Sequence, residues 1–279
     1  VLSTAAARAV VRPPTISATA KSLGAGAAAE MAGVVKVVVA EDFAGVVADT
    51  RTAAYAAVTQ MSTEWDLGHP WQQAELEAIV TVDGRDGIVI QEVGDASRLL
   101  GEETTVTSEY RTPFAIHTPL EAQAALADVQ PDRVRVWCST QGQGFVRAEV
   151  AKAIGVDEQI GEVIPTYLGG GYGRKAGWEV AIEAARLAQA AGVPVHVGWS
   201  RLEELRYGYF RPLTHHQLAG RVDAAGNLLA IEHRQASGVV AFDFLPPLMT
   251  AVMGADFGAY RGATIRYDAP NKRTVAFVA

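Results

Sequence analysis

Hydrophobic and polar positions follow one another in short segments that predict alternating strands and helices. The stretch VVKVVVA from Val34 is almost continuous in valine, which is typical of a buried strand. TAAYAAVTQMSTEW from Thr52 has the apolar spacing and the alanine content of a helix. These segments indicate a small α/β unit within the first hundred residues.

The pattern changes near residue 103. The stretch DGIVIQEVGDASRLLGEETTVTSEY becomes polar and then extended, so we place a domain boundary there. Beyond it, strands are interleaved with helices and include a hairpin. Strands are predicted at DRVRVWCST, GEVIPTYL and PVHVGWS, helices at FVRAEVAKAI before Gly155 and at 178–191, and a hairpin turn at Ala225 and Gly226.

Composition narrows the possible functions. Of the 279 residues 49% are hydrophobic, enough for a buried core, and a net charge of −7 without a Lys/Arg run argues against nucleic acid as a ligand. The single cysteine, Cys138, cannot form a disulfide within the chain or a metal site built from several thiolates. No apolar run reaches the roughly 18 residues that a membrane helix needs. The cytoplasm and the periplasm of a bacterium both remain open as locations.

A glycine-rich loop is the most distinctive local feature. LGGGYGRK from Leu168 follows a predicted strand and precedes the predicted helix at 178–191. Backbone N–H groups at such a place, together with the helix dipole, favour an anionic ligand. The Walker pattern is not met because Lys175 is followed by Ala176, and GxGxxG is not completed. A structural turn, in which the glycines only allow positive φ, explains the loop equally well on its own.

A second motif lies before the glycine loop and helps to interpret it. WCSTQGQGFVRAEVAKAIG places Thr140 and Gln141 at the end of a predicted strand, about thirty residues before LGGGYGRK. The two motifs together resemble the molybdenum hydroxylase family, which includes xanthine dehydrogenase, aldehyde oxidases, carbon monoxide dehydrogenase and isoquinoline oxidoreductase. RPPTISATAKS with MAGVVKVVVAEDFAGVVA is similar to the family's a/b hammerhead domain. YRTPFAIHTPLEAQAAL and PVHVGWSRLEEL are similar to its molybdenum-binding region.

The resemblance implies a fold and a reaction. The expected fold class is α+β, with an a/b hammerhead domain at 1–103 followed by the first part of a molybdopterin-binding α+β domain at 104–279. The expected function is that of part of the molybdenum-cofactor-binding subunit of an oxidoreductase. Such an enzyme hydroxylates an aldehyde or an N-heteroaromatic substrate with oxygen from water and passes electrons to iron–sulfur and flavin partners.

The resemblance also implies the cofactors. Molybdenum is expected to be held by the dithiolene of molybdopterin, in the cytosine dinucleotide form, so that no protein side chain has to bind the metal. A [2Fe–2S] cluster and FAD or haem are expected in partner subunits. One cysteine is therefore compatible with this chemistry.

Five residues are implied as the site. Gln141 matches the family glutamine whose amide hydrogen-bonds an oxygen ligand of molybdenum, so it is assigned to catalysis and to cofactor binding. Gly170, Gly171, Tyr172 and Gly173 match the loop that lies against the metal centre and the pterin. Tyr172 stands where many members have phenylalanine and is expected to flank a planar substrate, so it is also assigned to catalysis, with packing in the core as the alternative.

Two positions bear on the substrate. Purine-oxidising members carry a glutamate where this chain has Ala176, which disfavours purines. Arg211 falls near an arginine that those enzymes use, but a surface salt bridge is the favoured interpretation.

Other polar residues are expected to be structural. His215 and His216 are adjacent, so their side chains diverge, and no HExxH motif accompanies them. His117 and Glu121 lie in a stretch that is chiefly structural in the resembling family. Ser139 lacks the GxSxG context of a hydrolase nucleophile.

Two further hypotheses come from other classes. The chain could be a noncatalytic scaffold derived from this fold, or an unrelated nucleotide-binding enzyme that uses the glycine loop. Members of the resembling family continue beyond the segment that ends here and carry a late glutamate as general base. We therefore expect the remaining molybdenum-binding segment to be a partner and the isolated chain to be inactive. The start VLSTAAARAVV enters in mid-pattern without a methionine, so we also expect the N-terminal edge to be incomplete.

Overall fold

The computed structural model describes residues 5–82, 87–245 and 247–279. Along the chain the elements are β1 (Ala7–Val10), β2 (Thr19–Gly24), β3 (Val34–Val39), β4 (Ala44–Ala48), α1 (Arg51–Val58), β5 (Ser62–Asp66), α2 (Gln73–Ile79), β6 (Ile88–Val93), α3 (Ala96–Glu102), β7 (Val106–Thr112), β8 (Ala115–Ile116), β9 (Ala124–Gln130), β10 (Arg133–Cys138), α4 (Gln143–Ile154), β11 (Gly161–Pro165), α5 (Glu179–Ala191), β12 (Val195–Gly198), α6 (Arg201–Tyr207), β13 (Phe210–Arg211), β14 (Thr214–Val222), β15 (Leu228–Ser237), α7 (Pro247–Met253), α8 (Phe257–Tyr260) and β16 (Asn271–Val278).

The first compact unit contains the N-terminal segment up to residue 70 together with Ile116–Tyr209. Its mixed sheet has the order β11-β10-β9-β12, in which β10 and β11 are parallel and the other pairs are antiparallel. A second sheet has the order β1-β4-β3. Helices α4 and α5 cover the mixed sheet, and one hydrophobic core joins the buried faces of these elements.

The second compact unit contains Trp71–Ala115 and Phe210–Ala279. Its five-stranded sheet has the order β6-β16-β15-β14-β7, and helix α3 lies against it. Strands β15 and β16 are parallel, while the remaining neighbours are antiparallel. A smaller hydrophobic cluster, which includes Leu213, Val275 and Phe277, supports this sheet.

The predicted α+β class is confirmed, and most predicted elements are present. Strands β3, β10 and β12 form where the hydrophobic runs predict them. Helix α4 ends at Gly155, which adopts φ +70° and so terminates the helix in the left-handed conformation. The hairpin of β14 and β15 turns through Gly226, which also has a positive φ.

One predicted element differs from that in the structure. The helix predicted from Thr52 ends at Val58, and the residues STEWD form strand β5, which pairs with β2. Alanine favours the helix only as far as residue 58, and cross-strand pairing determines the rest. The helix predicted at 178–191 is confirmed as α5, which begins at Glu179 after a 3-10 turn at Arg174–Ala176 and an extended Gly177.

Contacts within the chain do not divide it at residue 103. Strand β6 lies before that position but pairs with β16 near the C terminus, so residues 88–93 belong to the same sheet as the last strand. Each compact unit is therefore built from two separate stretches of sequence. The assignment of 1–103 to a hammerhead domain and of 104–279 to a molybdopterin-binding domain stays a prediction.

The adjacent histidines are structural, as expected. His215 is fully buried, and its Nδ1 lies 3.2 Å from the backbone nitrogen of Val82. His216 belongs to a separate chain of hydrogen bonds. Because a carbonyl only accepts, His233 Nδ1–H donates to the oxygen of Ala263 at 2.8 Å, so His233 Nε2 accepts from His216 Nδ1–H at 2.9 Å. Burial, then the neighbouring His233 and His215, lowers the pKa of His216 to about 4.

We predict that His216 makes stability depend on pH. Between pH 6.5 and about 4 the unfolded chain takes up a proton that folded His216 does not, so the free energy of unfolding falls as the pH falls through this range. The His216→Gln variant should lack this part of the slope. Urea unfolding of wild type and variant at several pH values measures the difference, with His69→Gln as an exposed control. Identical slopes for wild type and His216→Gln would contradict the assignment.

Candidate functional site

The candidate site lies at one edge of the mixed sheet in the first unit. Strands β10 and β11 are parallel neighbours, and their last residues, Cys138 and Pro165, are partners in the register. The chain leaves both strands at the same edge. Gln141 follows β10, and the glycine loop, residues 168–173, follows β11. The sheet therefore brings the two sequence motifs together.

The glycine loop has an unusual backbone. Gly170 has φ +94° and Gly173 has φ +98°, values that glycine adopts readily and other residues rarely. Tyr172 between them has φ +56°, which is uncommon for a side chain of this size and costs conformational energy. The N–H of Arg174 donates to the oxygen of Gly171 at 2.8 Å and closes a tight turn around Tyr172.

Gln141 contacts the loop directly. Its Oε1 accepts a hydrogen bond from the N–H of Gly173 at 3.1 Å, and its own backbone N–H donates to the oxygen of Lys175 at 2.8 Å. Because a backbone N–H only donates, the oxygen of the Gln141 amide must face Gly173. The Nε2 group of the same amide, which can only donate, then points away from the N–H of Gly173. The proximity of Gln141 to the glycine loop, predicted from the two motifs, is confirmed.

Gly171 has no room for a side chain. A Cβ at this position would lie 2.6 Å from Oε1 of Gln141. Gly171 has no positive φ, so what favours glycine here is the close approach of the Gln141 side chain and not the backbone conformation. The loop glycines thus serve two purposes, since Gly170 and Gly173 permit the turn and Gly171 admits the glutamine.

The loop offers hydrogen-bond donors that the protein does not use. Among the described residues, no protein acceptor takes the N–H groups of Gly170, Gly171 or Tyr172. Tyr172 is 72% exposed, so among the described residues it does not pack in a core. The site therefore presents three backbone donors, one side-chain amide donor and one exposed aromatic ring.

Two buried cations follow the loop. Arg174 is 1% exposed, and its Nε lies 3.3 Å from a carboxylate oxygen of Glu204 as an ion pair. Its guanidinium also lies 5.2 Å from the ring centroids of both Trp199 and Tyr209. Lys175 is fully buried, and its ammonium group donates to the carboxylate of Glu121. Each cation thus has a carboxylate partner from a distant part of the sequence.

The pKa of Glu121 agrees with its ion pair with Lys175. Burial of the carboxylate raises its pKa, but the hydrogen bonds from Lys175 and from the N–H of Gly169, with the charge of Lys175, outweigh burial and lower the pKa below the ordinary value of 4.5. Glu121 is therefore ionised at neutral pH. The sequence predicted only a structural role for this glutamate and did not predict the ion pair.

Of the other sequence candidates, His117 lies beside the loop, since its Nε2 is 3.8 Å from the position that a Cβ of Gly173 would take. His117 Nδ1 lies 3.0 Å from the carbonyl oxygen of Tyr209, a contact that fits a structural role. Ser139 is buried after the end of β10, and its side chain is among the groups that lower the pKa of Glu121. Arg211 donates to the carbonyl oxygen of Pro113 at 2.9 Å, so among the described residues the salt bridge expected of it is replaced by this hydrogen bond.

Two broader features are absent from the described part of the chain. Residues 5–82, 87–245 and 247–279 contain no group of three or more His, Cys, Asp and Glu side chains that could hold a metal ion. Within the same ranges no helix has the length and apolar character to cross a membrane.

Comparison with known proteins gives a consistent set of matches. Residues 82–274 match the family model described as "Molybdopterin cofactor-binding domain". A nicotinate dehydrogenase subunit of Pseudomonas putida is 29% identical over 179 residues, which are 63% of this chain and 15% of that protein. The beta subunit of isoquinoline 1-oxidoreductase from Brevundimonas diminuta is 26% identical over 209 residues, 73% of this chain and 24% of that protein. The chain thus spans less than a quarter of the length of these two relatives.

A solved structure shares the fold. The aldehyde oxidoreductase from Desulfovibrio gigas superposes with a TM-score of 0.76 at 19% sequence identity. The superposition covers 99% of this chain and 35% of that chain. The architecture described above is therefore that of a segment within a longer known fold.

We predict that Gly171→Ala disturbs the site. The added methyl group would meet Oε1 of Gln141, which is the end of a flexible side chain, so the glutamine turns away and loses its hydrogen bond from Gly173, at a cost of about 0.5–1.5 kcal/mol in the free energy of unfolding. Gly144→Ala in α4 is the matched control, because nothing lies within 4 Å of its Cβ position, and it should stabilise by about 0.5–1 kcal/mol. Denaturant unfolding measures both. Equal stability of Gly171→Ala and wild type would contradict a stabilising hydrogen bond between Gly173 and Gln141.

Proposed function

Because the chain belongs to the molybdopterin cofactor-binding domain family of the molybdenum hydroxylases, we propose that its glycine loop and Gln141 bind the molybdenum cofactor within a larger oxidoreductase subunit. The observation that carries this proposal is the hydrogen bond from Gly173 to Gln141, which fixes the amide of Gln141 beside three unused backbone donors. Family membership excludes the hypothesis of an unrelated nucleotide-binding enzyme.

The residues present fit such a cofactor. Molybdopterin and the oxygen ligands of molybdenum are rich in hydrogen-bond acceptors, and the loop supplies donors at Gly170, Gly171 and Tyr172. The small residues let the backbone approach a ligand closely. The metal needs no ligand from this chain because the pterin dithiolene holds it. When bound, the cofactor supplies the transfer of two electrons that accompanies hydroxylation of a substrate carbon with oxygen from water.

Gln141 orients a donor toward the cofactor. Its oxygen is occupied by Gly173, so its Nε2 group can donate to an oxygen ligand of the metal without the amide turning over. Hydrogen bonds to the groups that a metal holds tune its reactivity and position. The N–H of Gly173 thus orients the Gln141 amide that would donate to the cofactor.

Tyr172 is proposed to contact the substrate. Its ring is exposed, so it can lie against a planar molecule, and its hydroxyl can donate or accept one hydrogen bond. We propose an aldehyde or an N-heteroaromatic compound as substrate. The relatives named for nicotinate and isoquinoline support the second class, and Ala176 in place of a glutamate disfavours purines.

The remaining parts of the proposed enzyme lie in other segments or chains. The two relatives named above are themselves subunits, which supports partner chains for this protein. We propose molybdopterin in its cytosine dinucleotide form, an iron–sulfur partner with a [2Fe–2S] cluster, and a partner with FAD or haem. A general base outside residues 1–279 would complete the site, so these residues alone should be inactive. A noncatalytic scaffold is the second candidate, and it predicts protein that carries no molybdenum.

The proposal predicts a specific effect of Gln141→Ala. In the complete enzyme this change should lower activity or molybdenum affinity about 10- to 100-fold while the protein stays folded, because it removes a hydrogen bond and no core volume. Activity with aldehydes and N-heterocycles, measured with an artificial electron acceptor, and molybdenum per chain are the readouts. Gln143→Ala in α4 is the control for the loss of an exposed glutamine. Full molybdenum occupancy with unchanged turnover in Gln141→Ala would refute the role.

A further inference from the structure

The segment before β9 contacts both ends of the glycine loop through Glu121. The backbone N–H of Glu121 donates to the oxygen of Gly169 at 3.0 Å, and the N–H of Gly169 donates back to Oε2 of Glu121 at 2.9 Å. The ammonium group of Lys175 donates to the same Oε2. One carboxylate oxygen thus links residue 169, at the start of the loop, to residue 175, just after its end.

We propose that Glu121 is a positioning residue that closes the glycine loop and holds Gly170, Gly171, Tyr172 and Gly173 in their cofactor-binding conformation. The contacts among Glu121, Gly169 and Lys175 are called the Glu121 bridge below. The closure itself is a property of the chain, and its effect on the cofactor rests on the proposed function.

The burial of Lys175 makes this bridge strong. The side chain of Lys175 is 0% exposed, and a buried ammonium group without a carboxylate is strongly unfavourable. The carboxylate of Glu121 is 40% exposed, so it could be hydrated without Lys175, whereas Lys175 depends on Glu121. Removing the charge of Glu121 should therefore displace Lys175 and, with it, the end of the loop.

The strain in the loop requires such a closure. Gly170, Tyr172 and Gly173 all have positive φ, and for Tyr172 this conformation is costly and persists only when its surroundings enforce it. Arg174 cannot provide the closure. Its carboxylate partners, Glu204 in α6 and Glu179 at the start of α5, hold only the end of the loop. The Glu121 bridge also reaches the start.

The approach at the start of the loop is close. A Cβ at Gly169 would lie 2.5 Å from the Cβ of Glu121, so the two backbones are in contact at this point. Glu121 thus joins the two ends of the segment 169–175, and the residues assigned to cofactor binding lie between these ends. A sequence separation of 54 residues between Glu121 and Lys175 places this link beyond any local motif.

Amide hydrogen exchange in the full chain tests the closure. The variants are Glu121→Gln, which keeps an acceptor for Gly169 but removes the charge, Lys175→Met, and the double variant. In Glu121→Gln three amides should exchange at least about tenfold faster than in wild type: Gly173, which donates to Gln141, and Arg174 and Ala176, which donate to Gly171 and Gly173. Exchange in α4 and α5 should be unchanged. Glu162→Gln, which breaks an exposed ion pair with Arg135 in the same unit, should leave all of these rates unchanged.

The double variant distinguishes a single interaction between Glu121 and Lys175 from two independent contributions of these residues. If Glu121 acts through Lys175, the double variant should exchange no faster than the more affected single variant, because both changes remove one interaction. Additive effects would overturn the proposal. Unchanged exchange at 169–176 in Glu121→Gln would also overturn it, as would an equal rise in every peptide, which indicates general destabilisation.

Cofactor retention gives the second readout. In the cofactor-loaded protein, molybdenum and pterin per chain after gel filtration should fall about tenfold in Glu121→Gln and remain at the wild-type level in Glu162→Gln. Faster loop exchange with full cofactor retention would refute the positioning role. Wild-type protein without molybdenum would refute the proposed function instead, while hydrogen exchange would still decide whether Glu121 closes the loop.

Discussion

Two buried positive charges determine the form of the candidate site. Arg174 and Lys175 are 1% and 0% exposed, although charged side chains are rarely buried to this degree unless they are paired. Removal of one partner from such a pair typically costs about 3–5 kcal/mol. Glu204 and Glu121 supply the partners, and so two distant segments are held against the residues that follow the glycine loop.

The pairing with Lys175 has consequences for the loop and for Gln141. The carbonyl of Lys175 accepts from the backbone N–H of Gln141, so the position of this lysine fixes the chain after β10. The hydroxyl of Thr140 donates to the same carbonyl at 3.2 Å. Gln141 in turn occupies the space above Gly171 and accepts from Gly173. Loop, glutamine and buried lysine therefore form one connected structure.

The sequence predicted much of this arrangement because strands carry strong local signals. The valine-rich runs identified β3, β10 and β12, and two motifs placed at strand ends predicted that Gln141 and the glycine loop would meet. The resemblance to the molybdenum hydroxylases predicted molybdopterin as the cofactor, and the family match to residues 82–274 confirms the resemblance. The roles of Gln141 and Tyr172 in catalysis stay predictions.

Other features could not be predicted from local patterns. The ion pairs of Arg174 and Lys175 join residues far apart in sequence, and nothing in HTPLEA or RLEELRY distinguishes a buried carboxylate from an exposed one. The division into two interleaved units depends on the pairing of β6 with β16, which is a long-range contact. Strand β5 was not predicted, because it directly follows the alanine-rich run of α1 and the predicted helix extended over it.

A crystal structure of the cofactor-loaded protein tests the central claim most directly. The decisive quantity is the distance from Nε2 of Gln141 to the nearest oxygen bound to molybdenum. The account predicts a hydrogen bond of about 2.7–3.2 Å, with Oε1 of Gln141 still accepting from the N–H of Gly173. A cofactor bound away from Gln141, or an amide whose oxygen has left Gly173 and faces the metal, would contradict it.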